Sequence, residues 1–281
     1  MKILITGGNG YIARNLKRMF ENVGHTVLAP SRQELDMTNF KFVTEYLSNH
    51  MPEGIIHTAI KGGDRGYEDT PKDFSDNMVM FENLMNATEY DMPIVVYGSG
   101  AAFDRRHDIN EVEEEDIFRA WPIDLYGLAK NIIARRIMTG PLRYRSIYLL
   151  NIFNCFNYDE ESTRFIRKSI TNVKCGLPIE IHKNKQMDFF YFDDLFALTE
   201  DFLLSPTQNM KVQNAVYVEK LTLLDIGHII AKNMSHMTPK LIINSEGMAS
   251  PYTGNGARVS NSFVNLVGLE EGIRKTINKL T

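Results

Sequence analysis

Short apolar runs alternate with longer amphipathic stretches over the first half of the chain. The short runs are bounded by turn-forming or polar residues, and they predict strands over 2–6, 26–29, 54–59, 94–97 and 146–150. The longer stretches repeat apolar residues at helical spacing and predict helices over 13–22, 40–47, 74–87 and 125–138. Because alternating strands and helices form βαβ units with right-handed crossovers, we predict an α/β fold with a doubly wound parallel sheet.

The rhythm changes after about residue 152, where helices, short strands and loops follow without regular alternation. A chain of 281 residues suits one domain, or one domain with a smaller lobe. We therefore predict a dinucleotide-binding Rossmann domain over 1–152, rejoined by about 188–220. The remaining segments, 153–187 and 221–281, are predicted to form a smaller substrate-binding lobe.

Composition and charge narrow the class of protein. The net charge is −4 with no long basic run, so a nucleic-acid partner is not expected. No stretch approaches 18 uninterrupted apolar residues and the start lacks a signal-peptide pattern, so we expect a cytoplasmic protein without membrane partners. Cys155 and Cys175 are too few for a disulfide framework, and the histidines lack metal-ligand spacing, so no metal site is predicted.

A glycine-rich turn joins the first strand to the first helix. Gly7 permits the tight turn, Gly10 lets the backbone approach a pyrophosphate, and Ala13 lets the helix pack close to the strand. The helix N-terminus then offers N–H groups to the phosphates. The alternative is an ordinary strand–helix turn, but the position in the chain favours a dinucleotide site. The contact residues predicted in this loop are Gly7, Asn9, Gly10, Tyr11 and Ile12.

The end of the second strand bears on the choice of cofactor. NAD sites usually carry an acidic residue there, whereas this chain has Ser31 and Arg32. A hydroxyl and a guanidinium suit a 2′-phosphate, so we predict NADP (as NADPH) in preference to NAD, although Arg32 pointing into solvent is the alternative. Asp36 and Met37 follow, where the carboxylate could meet the adenine amino group.

Three residues form a candidate catalytic set. Tyr126 and Lys130 are four residues apart in a predicted helix and so share one face. Ser99 follows the fourth strand, at the sheet edge where catalytic groups gather. Tyr126 would exchange a proton with a carbonyl oxygen, and Ser99 would hydrogen-bond that oxygen. Lys130 and an oxidised nicotinamide would together lower the pKa of the phenol, and Lys130 would also hold the nicotinamide ribose. Tyr126 as an ordinary helix residue is the alternative.

Together these elements resemble the extended short-chain dehydrogenase/reductase family of NAD-dependent epimerase/dehydratase type, and most of all its GDP-fucose synthase and nucleotide-sugar 4-ketoreductase branch. The matching motifs are Thr6-Gly7-x-x-Gly10-Tyr11-Ile12-Ala13, Ser31-Arg32-Gln33-Glu34-Leu35-Asp36, His57-Thr58-Ala59-Ile60-Lys61-Gly62-Gly63, Asn77, Ser99, Tyr126-x-x-x-Lys130 and Phe189-x-x-Phe192-Asp193-Asp194. The resemblance implies further cofactor contacts at Ala59, Ile60, Lys61, Asn77, Asn151 and Phe153. It also implies substrate contacts at Ser99, Gly100, Ala101, Asn154, Arg164, Phe165, Lys168 and Arg258, although a solvated surface role is equally open for the basic residues.

The departures from that branch are informative. The resemblance implies a cysteine two residues after the catalytic serine, but this chain has Ala101 at that position. Epimerisation in that branch also uses a histidine where this chain has Arg164, so the resemblance implies reduction without epimerisation. The family has an arginine that often contacts the nucleotide, and this chain has Met187-Asp188 in its place. The identity of the nucleotide base is therefore not predicted.

The sequence thus leads to an NADPH-dependent reductase of a nucleotide-linked 4-keto-6-deoxy sugar, carried on GDP, dTDP or CDP. A nucleotide-sugar epimerase with tightly bound NAD uses the same triad and is the first alternative. A non-catalytic dinucleotide sensor is the second, although a sensor has no need of a proton donor. Relatives commonly dimerise through two helices, so a homodimer through 74–87 and 125–138 is expected.

Overall fold

The predicted α/β fold with a doubly wound sheet is confirmed in the computed structural model, which describes residues 1–63, 66–139, 141–144, 146–205, 211–261 and 265–280. The strands are β1 Lys2–Thr6, β2 Thr26–Leu28, β3 Gly54–His57, β4 Ile94–Ser99, β5 Ile109–Val112, β6 Ile147–Ile152, β7 Cys155–Phe156, β8 Ile179–Asn184, β9 Phe190–Tyr191, β10 Val212–Ala215, β11 Leu241–Met248 and β12 Tyr252–Gly254. The α-helices are α1 Tyr11–Asn22, α2 Phe40–His50, α3 Pro71–Ala87, α4 Leu125–Met138, α5 Phe165–Lys174, α6 Phe192–Leu204, α7 Leu223–Asn233, α8 Ala257–Ser260 and α9 Leu269–Leu280.

The central sheet has six strands in the order β10-β6-β4-β3-β1-β2. β1 pairs in parallel with β2 and with β3, and β3 pairs in parallel with β4. Helices cover both faces of such a sheet, and Ile3, Ile5 and Ile55 accordingly have no exposed surface. Strands buried on both faces are apolar throughout. This explains why the strands appear in the sequence as continuous apolar runs rather than as alternating ones.

Local capping sets where the helices begin. Asp124 accepts a hydrogen bond from the Gly127 N–H at 2.7 Å and starts α4 at the predicted residue. Thr70 and Asp73 form a reciprocal capping box, and with Pro71 at the first position they start α3 three residues before the predicted 74. The missed turn of α3 therefore carried a recognisable signal in the sequence.

The chain divides into two compact units with boundaries that differ from the predicted ones. The first unit comprises Met1–Arg106, Glu114–Asn151 and Thr199–Gln213, and the second comprises His107–Glu113, Ile152–Leu198 and Asn214–Thr281. The segment that returns to the first unit is therefore shorter than the predicted 188–220. Residues 107–113 join the second unit because β5 pairs with β12.

The second unit has its own apolar core, built from α5, α7, α9 and β8. Its fully buried side chains include Phe156, Ile166, Ile226 and Ile273. β8 pairs in parallel with β11, and β7 pairs in parallel with β9. No helix within the described residues is both long enough and apolar enough to span a membrane.

Candidate active site

The glycine-rich turn has the geometry that a bound pyrophosphate needs. Gly7 adopts a φ of +72°, and the Gly10 N–H donates to its carbonyl at 2.9 Å. A Cβ atom on Gly8 would lie 2.2 Å from the carbonyl oxygen of Ala29, so only glycine fits there. Gly10 makes no side-chain cap to α1, and so no cap competes with an anion for the first-turn N–H groups.

A cavity of about 490 Å³ adjoins this turn and is lined by Asn9, Ser31, Arg32, Gln33 and Asp36. Four of these five residues had been predicted to contact the cofactor, and Gln33 had not. Asp36 is fixed by Thr38, which donates to Oδ1 from its N–H at 3.0 Å and from its hydroxyl at 2.7 Å. These bonds lower the pKa of Asp36 and keep it ionised. The cavity therefore contains one guanidinium and one carboxylate.

Glu34 binds the serine that had been predicted to bind a 2′-phosphate. The Ser31 N–H donates to Glu34 Oε2 at 2.7 Å, and the serine hydroxyl also bonds this carboxylate. Both bonds lower the pKa of Glu34. The spacing Ser-x-x-Glu is the short-range signal for this bond, which here closes a turn and does not cap a helix.

The exit of β3 is tied to β1 by buried polar groups. The Thr6 hydroxyl oxygen accepts the N–H groups of Thr58 and Ala59, each at 3.2 Å, and lies 2.9 Å from His57 Nδ1. Burial first, and the charge of Lys130 second, lower the pKa of His57 to about 3, so the imidazole is neutral. Since its oxygen accepts two amides, Thr6 has its own proton available for His57.

The predicted cofactor residues that follow β3 are held by α3. Asn77 accepts from the Lys61 N–H at 2.8 Å and donates to the Lys61 carbonyl at 2.9 Å. The Lys61 ammonium bonds Asp76, which also pairs with Lys72. Lys61 and Asn77 thus fix the backbone at the sheet edge, and the lysine charge is already paired.

Two further predicted cofactor residues differ in exposure. Ile60 is 37% exposed, whereas Met37 is buried and its carbonyl accepts a hydrogen bond from Asn83.

The three predicted catalytic residues lie together within the first unit. The Ser99 hydroxyl is near enough to the Tyr126 phenol to lower its pKa, and Lys130 Nζ lies 5.8 Å from the Tyr126 ring centroid. The lysine is buried and donates to the Tyr97 carbonyl at 2.5 Å, and burial lowers its pKa to about 8. Asn151 lies beside the same strand, and a Cβ atom on Gly98 would be only 2.2 Å from Asn151 Oδ1.

The turn after Ser99 explains why helix α4 can bring Tyr126 so close. Gly100 and Ala101 are buried, and the Ala101 N–H donates to Ser99 Oγ at 3.1 Å. A Cβ on Gly127 would lie 2.5 Å from the Ala101 carbonyl oxygen, so the helix packs directly on this turn. Ala101 therefore has no accessible surface in this structure with which to touch a substrate.

In the protein alone the Tyr126 phenol has a raised pKa, whereas Lys130 and an oxidised nicotinamide together are predicted to lower it. Burial is the largest cause, and the charges of Asp69 and Asp124 add to it, against the lowering effects of the Ser99 hydrogen bond and the charge of Arg105. Lys130 directs its ammonium to a backbone carbonyl, which explains why the lowering is not observed in the protein alone. In this state the phenol holds its proton.

Five of the predicted substrate residues and one predicted cofactor residue belong to the second unit. Phe153 is buried and packs against Tyr252, with ring centroids 5.1 Å apart. Asn154 donates its side-chain amide to the Asp188 carbonyl at 2.8 Å, so this group is already bonded. Arg164 and Phe165 begin α5, Lys168 pairs with Glu180 at 3.3 Å, and Arg258 lies in α8.

At 187–188, where the family resemblance implies an arginine, this chain has an aspartate in a buried ion pair. Lys220 Nζ lies 2.9 Å from Asp188 Oδ2, and both side chains are only 6% exposed. The same carboxylate accepts the Gly254 N–H at 2.8 Å, while burial raises its pKa to about 6. Asp188 therefore fixes β12 and the 217–220 turn inside the second unit and offers no cation to a nucleotide.

Within the described residues, no group of three or more His, Cys, Asp or Glu side chains is placed to hold a metal ion.

Comparison with known proteins identifies the family of this chain. A sequence model of the NAD dependent epimerase/dehydratase family matches residues 3–212. The chain belongs to this family. It is 26% identical to GDP-L-colitose synthase of Yersinia pseudotuberculosis over 301 residues, which covers 98% of this chain and 96% of that one. It is also 26% identical over 191 residues to GDP-L-fucose synthase of Azorhizobium caulinodans, covering 62% and 61% of the two chains.

Among solved structures of the epimerase/dehydratase fold, one similar chain is a GDP-mannoheptose C4 reductase from Campylobacter jejuni with NADP bound. The TM-score is 0.78 with 16% sequence identity, and the match covers 99% of this chain and 97% of that one. At this identity the likeness establishes the fold alone. The family model and the two curated relatives confirm the resemblance stated from the sequence, and the individual site residues remain predictions.

Proposed function

We propose that this protein reduces the 4-keto group of a nucleotide-linked 4-keto-6-deoxy sugar with NADPH, without epimerising it. The observation that carries the proposal is the grouping of Ser99, Tyr126 and buried Lys130 at the end of β4. A phenol whose pKa is raised holds the proton that a carbonyl oxygen must receive during reduction. Ser99 is placed to hydrogen-bond the same oxygen.

The chain's own residues fit a nicotinamide dinucleotide. The Gly7–Gly10 turn and the start of α1 would hold the pyrophosphate, and the cavity beside Arg32 would take the adenosine end. The bound cofactor would supply a hydride to the carbonyl carbon. Tyr126 would then give its proton to the carbonyl oxygen, and Lys130 would hold the ribose while its charge stabilises the phenolate that remains. Lys61, Asn77 and Asn151 would keep the floor of this site fixed.

The substrate class is inferred from relatives and from the second unit. The two curated relatives are named as synthases of GDP-linked sugars, which supports a nucleotide-sugar substrate. Arg164 is 39% exposed at the start of α5, and its nearest carboxylate, on Glu161, is 3.8 Å away. That weakly held guanidinium is our first candidate for the diphosphate. Lys168, Phe165 and Arg258 remain secondary candidates, and Asn154 is the weakest because its amide is already bonded.

Two positions support reduction without epimerisation. Epimerisation beside a ketone requires groups that remove and return a proton on carbon. The resemblance to the fucose synthases implies a cysteine at position 101, but this chain has Ala101, which carries no titratable group. Arg164 stands in place of their histidine, and a guanidinium stays protonated.

The test is to incubate the protein with NADPH and GDP-, dTDP- and CDP-linked 4-keto-6-deoxy sugars and follow absorbance at the NADPH maximum. Loss of absorbance with one of them is expected. Repeating the reaction in D₂O then tests the second half of the proposal, because epimerisation would introduce deuterium at carbons 3 and 5. No consumption of NADPH with any substrate would refute the reductase, and deuterium at those carbons would refute the absence of epimerisation.

A nucleotide-sugar epimerase with bound NAD is the second candidate, and one observation favours it. Glu34 already binds Ser31, which weakens the case for a 2′-phosphate at that point. Mass spectrometry of the dinucleotide released from freshly purified protein separates the two. Retained NAD favours the epimerase, whereas exchangeable NADP favours the reductase.

A homodimer through α3 and α4 stays part of the proposal. The two helices lie side by side within the first unit and are joined by the Arg136–Glu82 ion pair at 2.8 Å. Val79 on α3 is 38% exposed, as an interface residue would be in a lone subunit. Light scattering at several protein concentrations checks this, and a mass of one subunit throughout would contradict it.

A further inference from the structure

Strand β11 lies at an open edge of the second unit. It pairs in parallel with β8 on one side, and no strand within the described residues pairs with its other side. The strand has eight residues, contains no proline, and leaves Ile242, Ile243 and Met248 between 42% and 55% exposed. A long edge strand with exposed apolar side chains is a template for pairing with a strand of another chain.

The pairing with β8 determines which backbone groups of β11 face outward. The Ile179 N–H donates to the Lys240 carbonyl at 2.7 Å, so the even-numbered residues of β11 direct their backbone polar groups toward β8. Because this direction alternates along a strand, the odd-numbered residues Leu241, Ile243 and Ser245 direct theirs away from β8. These three residues therefore present the N–H and C=O groups that a further strand would use.

The two ends of the strand carry charges of opposite sign. Lys240 and Glu246 are both exposed, and neither forms an ion pair with any residue that the structure describes. Each lies three residues from Ile243 along the chain. A second copy placed antiparallel about a two-fold axis at Ile243 therefore brings each lysine opposite a glutamate of the other copy. Charges of one sign would protect the edge by repelling a copy, whereas this arrangement attracts one.

The backbone and the charges agree on this one register. With the axis at Ile243, the outward-directed residues of the two strands lie opposite one another, as an antiparallel ladder requires. A shift of one residue would set outward-directed groups against groups already directed to β8. A shift of two residues in either direction would place Lys240 opposite Asn244 or Met248 and leave its charge unpaired.

We propose that β11 pairs with β11 of a second copy of this chain, antiparallel about a two-fold axis at Ile243, and forms a four-stranded sheet across two subunits. The partner is a second copy rather than an unrelated strand, because the edge is complementary to itself in both hydrogen bonding and charge. This contact belongs to the second unit and is separate from the homodimer through α3 and α4.

Cysteine cross-linking tests the register. Opposed residues of a hydrogen-bonded antiparallel pair have Cα atoms about 5.5 Å apart, within reach of a disulfide, so Ile243→Cys should link two subunits on mild oxidation. Ser245→Cys is the matched control, because it lies on the same face but would be about 14 Å from its copy. Both are made in a Cys175→Ser background, since Cys175 is exposed. Non-reducing electrophoresis measures the linked fraction.

Charge reversal tests the complementarity. Lys240→Glu and Glu246→Lys each set like charges opposite one another twice, and each is expected to weaken self-association about tenfold in sedimentation at low salt. The double variant restores opposite charges and should return to within about threefold of the unmodified protein. Lys279→Glu is the control, because Lys279 is an exposed lysine of the second unit in the last turn of α9.

The expected result is a disulfide in Ile243→Cys but not in Ser245→Cys, together with rescue by the double variant. Absence of the Ile243→Cys disulfide would overturn the proposal and leave the edge to a strand of another protein. Equal linking at both cysteines, a loss of association that the double variant does not restore, or an equal loss in Lys279→Glu would also overturn it. None of these measurements uses a sugar or a cofactor, so this proposal and the reductase fail separately.

Discussion

The backbone of Gly63 lies against the ring of Tyr126, so closely that a Cβ atom on Gly63 would be 2.7 Å from the ring carbon Cε2. The Gly63 N–H donates to Asp69 Oδ1 at 2.8 Å, which holds this part of the chain in place. The loop after β3 thus forms one wall around Tyr126, the proposed proton donor. Its glycines, present in the sequence motif, have a steric reason to be glycine.

Gly63→Ala should therefore impair catalysis more than it impairs folding. The new methyl group would displace the Tyr126 ring, and we expect kcat/KM to fall at least about tenfold, a barrier increase of about 1.4 kcal/mol. Gly66→Ala is the matched control, because Gly66 has a similar φ of +79° but nothing within 4 Å of its Cβ position. Both variants strain the backbone, so similar melting temperatures with different activities are expected. Equal activity in the two would refute the steric wall.

Asp69→Asn should shift the alkaline limb of the pH–rate profile to lower pH. The charge of Asp69 helps to raise the pKa of Tyr126, and asparagine keeps an oxygen for the Gly63 N–H without the charge. Since reduction uses the protonated phenol, activity is lost as pH rises through that pKa, and a lower pKa brings the loss earlier. Asp124 still raises the pKa and Arg105 still lowers it.

The measurement is kcat/KM for reduction as a function of pH with the holoenzyme. Asp91→Asn, a change of the same charge at an exposed position of the first unit, serves as the control. A limb that moves equally in both variants, or that moves to higher pH in Asp69→Asn, would count against the role of Asp69.

Tyr126→Phe should remove at least about a hundredfold of the turnover, the usual contribution of a positioned acid. NADPH binding should stay within about twofold, because the ring remains and the pyrophosphate site is separate. Stopped-flow absorbance and fluorescence titration provide the two readouts. Activity that survives the substitution would show that another group delivers the proton and that the assignment of Tyr126 is wrong.

Lys220→Met should destabilise the protein by about 3–5 kcal/mol at neutral pH, because it leaves the Asp188 carboxylate buried without its cation. Asp188 already has a pKa raised to about 6, above its unfolded value of 3.8, so its protonated form is favoured in the folded state. Stability from this group is present below the unfolded pKa and is lost as pH rises through the folded one. Without Lys220 the pKa rises further, so the deficit should shrink as pH falls.

Urea denaturation at two pH values measures this difference. Lys232→Met is the control, since that lysine pairs with Glu270 at 3.1 Å while 77% exposed, and exposed pairs contribute about 0–1 kcal/mol. A deficit that is equally large for Lys232→Met, or that grows on acidification, would contradict the expectation.

Much of the site was predictable because its signals are local. The turn Gly7–Gly10 and the pair Tyr126 and Lys130 are short-range patterns, and their spacing alone specifies a tight turn and a shared helix face. The capping box of Thr70 and Asp73 and the turn bond between Ser31 and Glu34 are equally local. The prediction from apolar spacing does not include them, so the predicted α3 starts three residues late and Glu34 is not among the predicted residues.

The sequence by itself determined the class of fold, and it indicated a candidate dinucleotide turn and a candidate proton donor, because periodicity and close spacing act through neighbouring residues. The tertiary structure decided what surrounds them. It brought Gly63 and Asp69 to Tyr126, directed Lys130 to the Tyr97 carbonyl, and paired Asp188 with Lys220. These contacts join residues far apart in the chain, and burial among them sets the pKa values, so no local pattern could have predicted them.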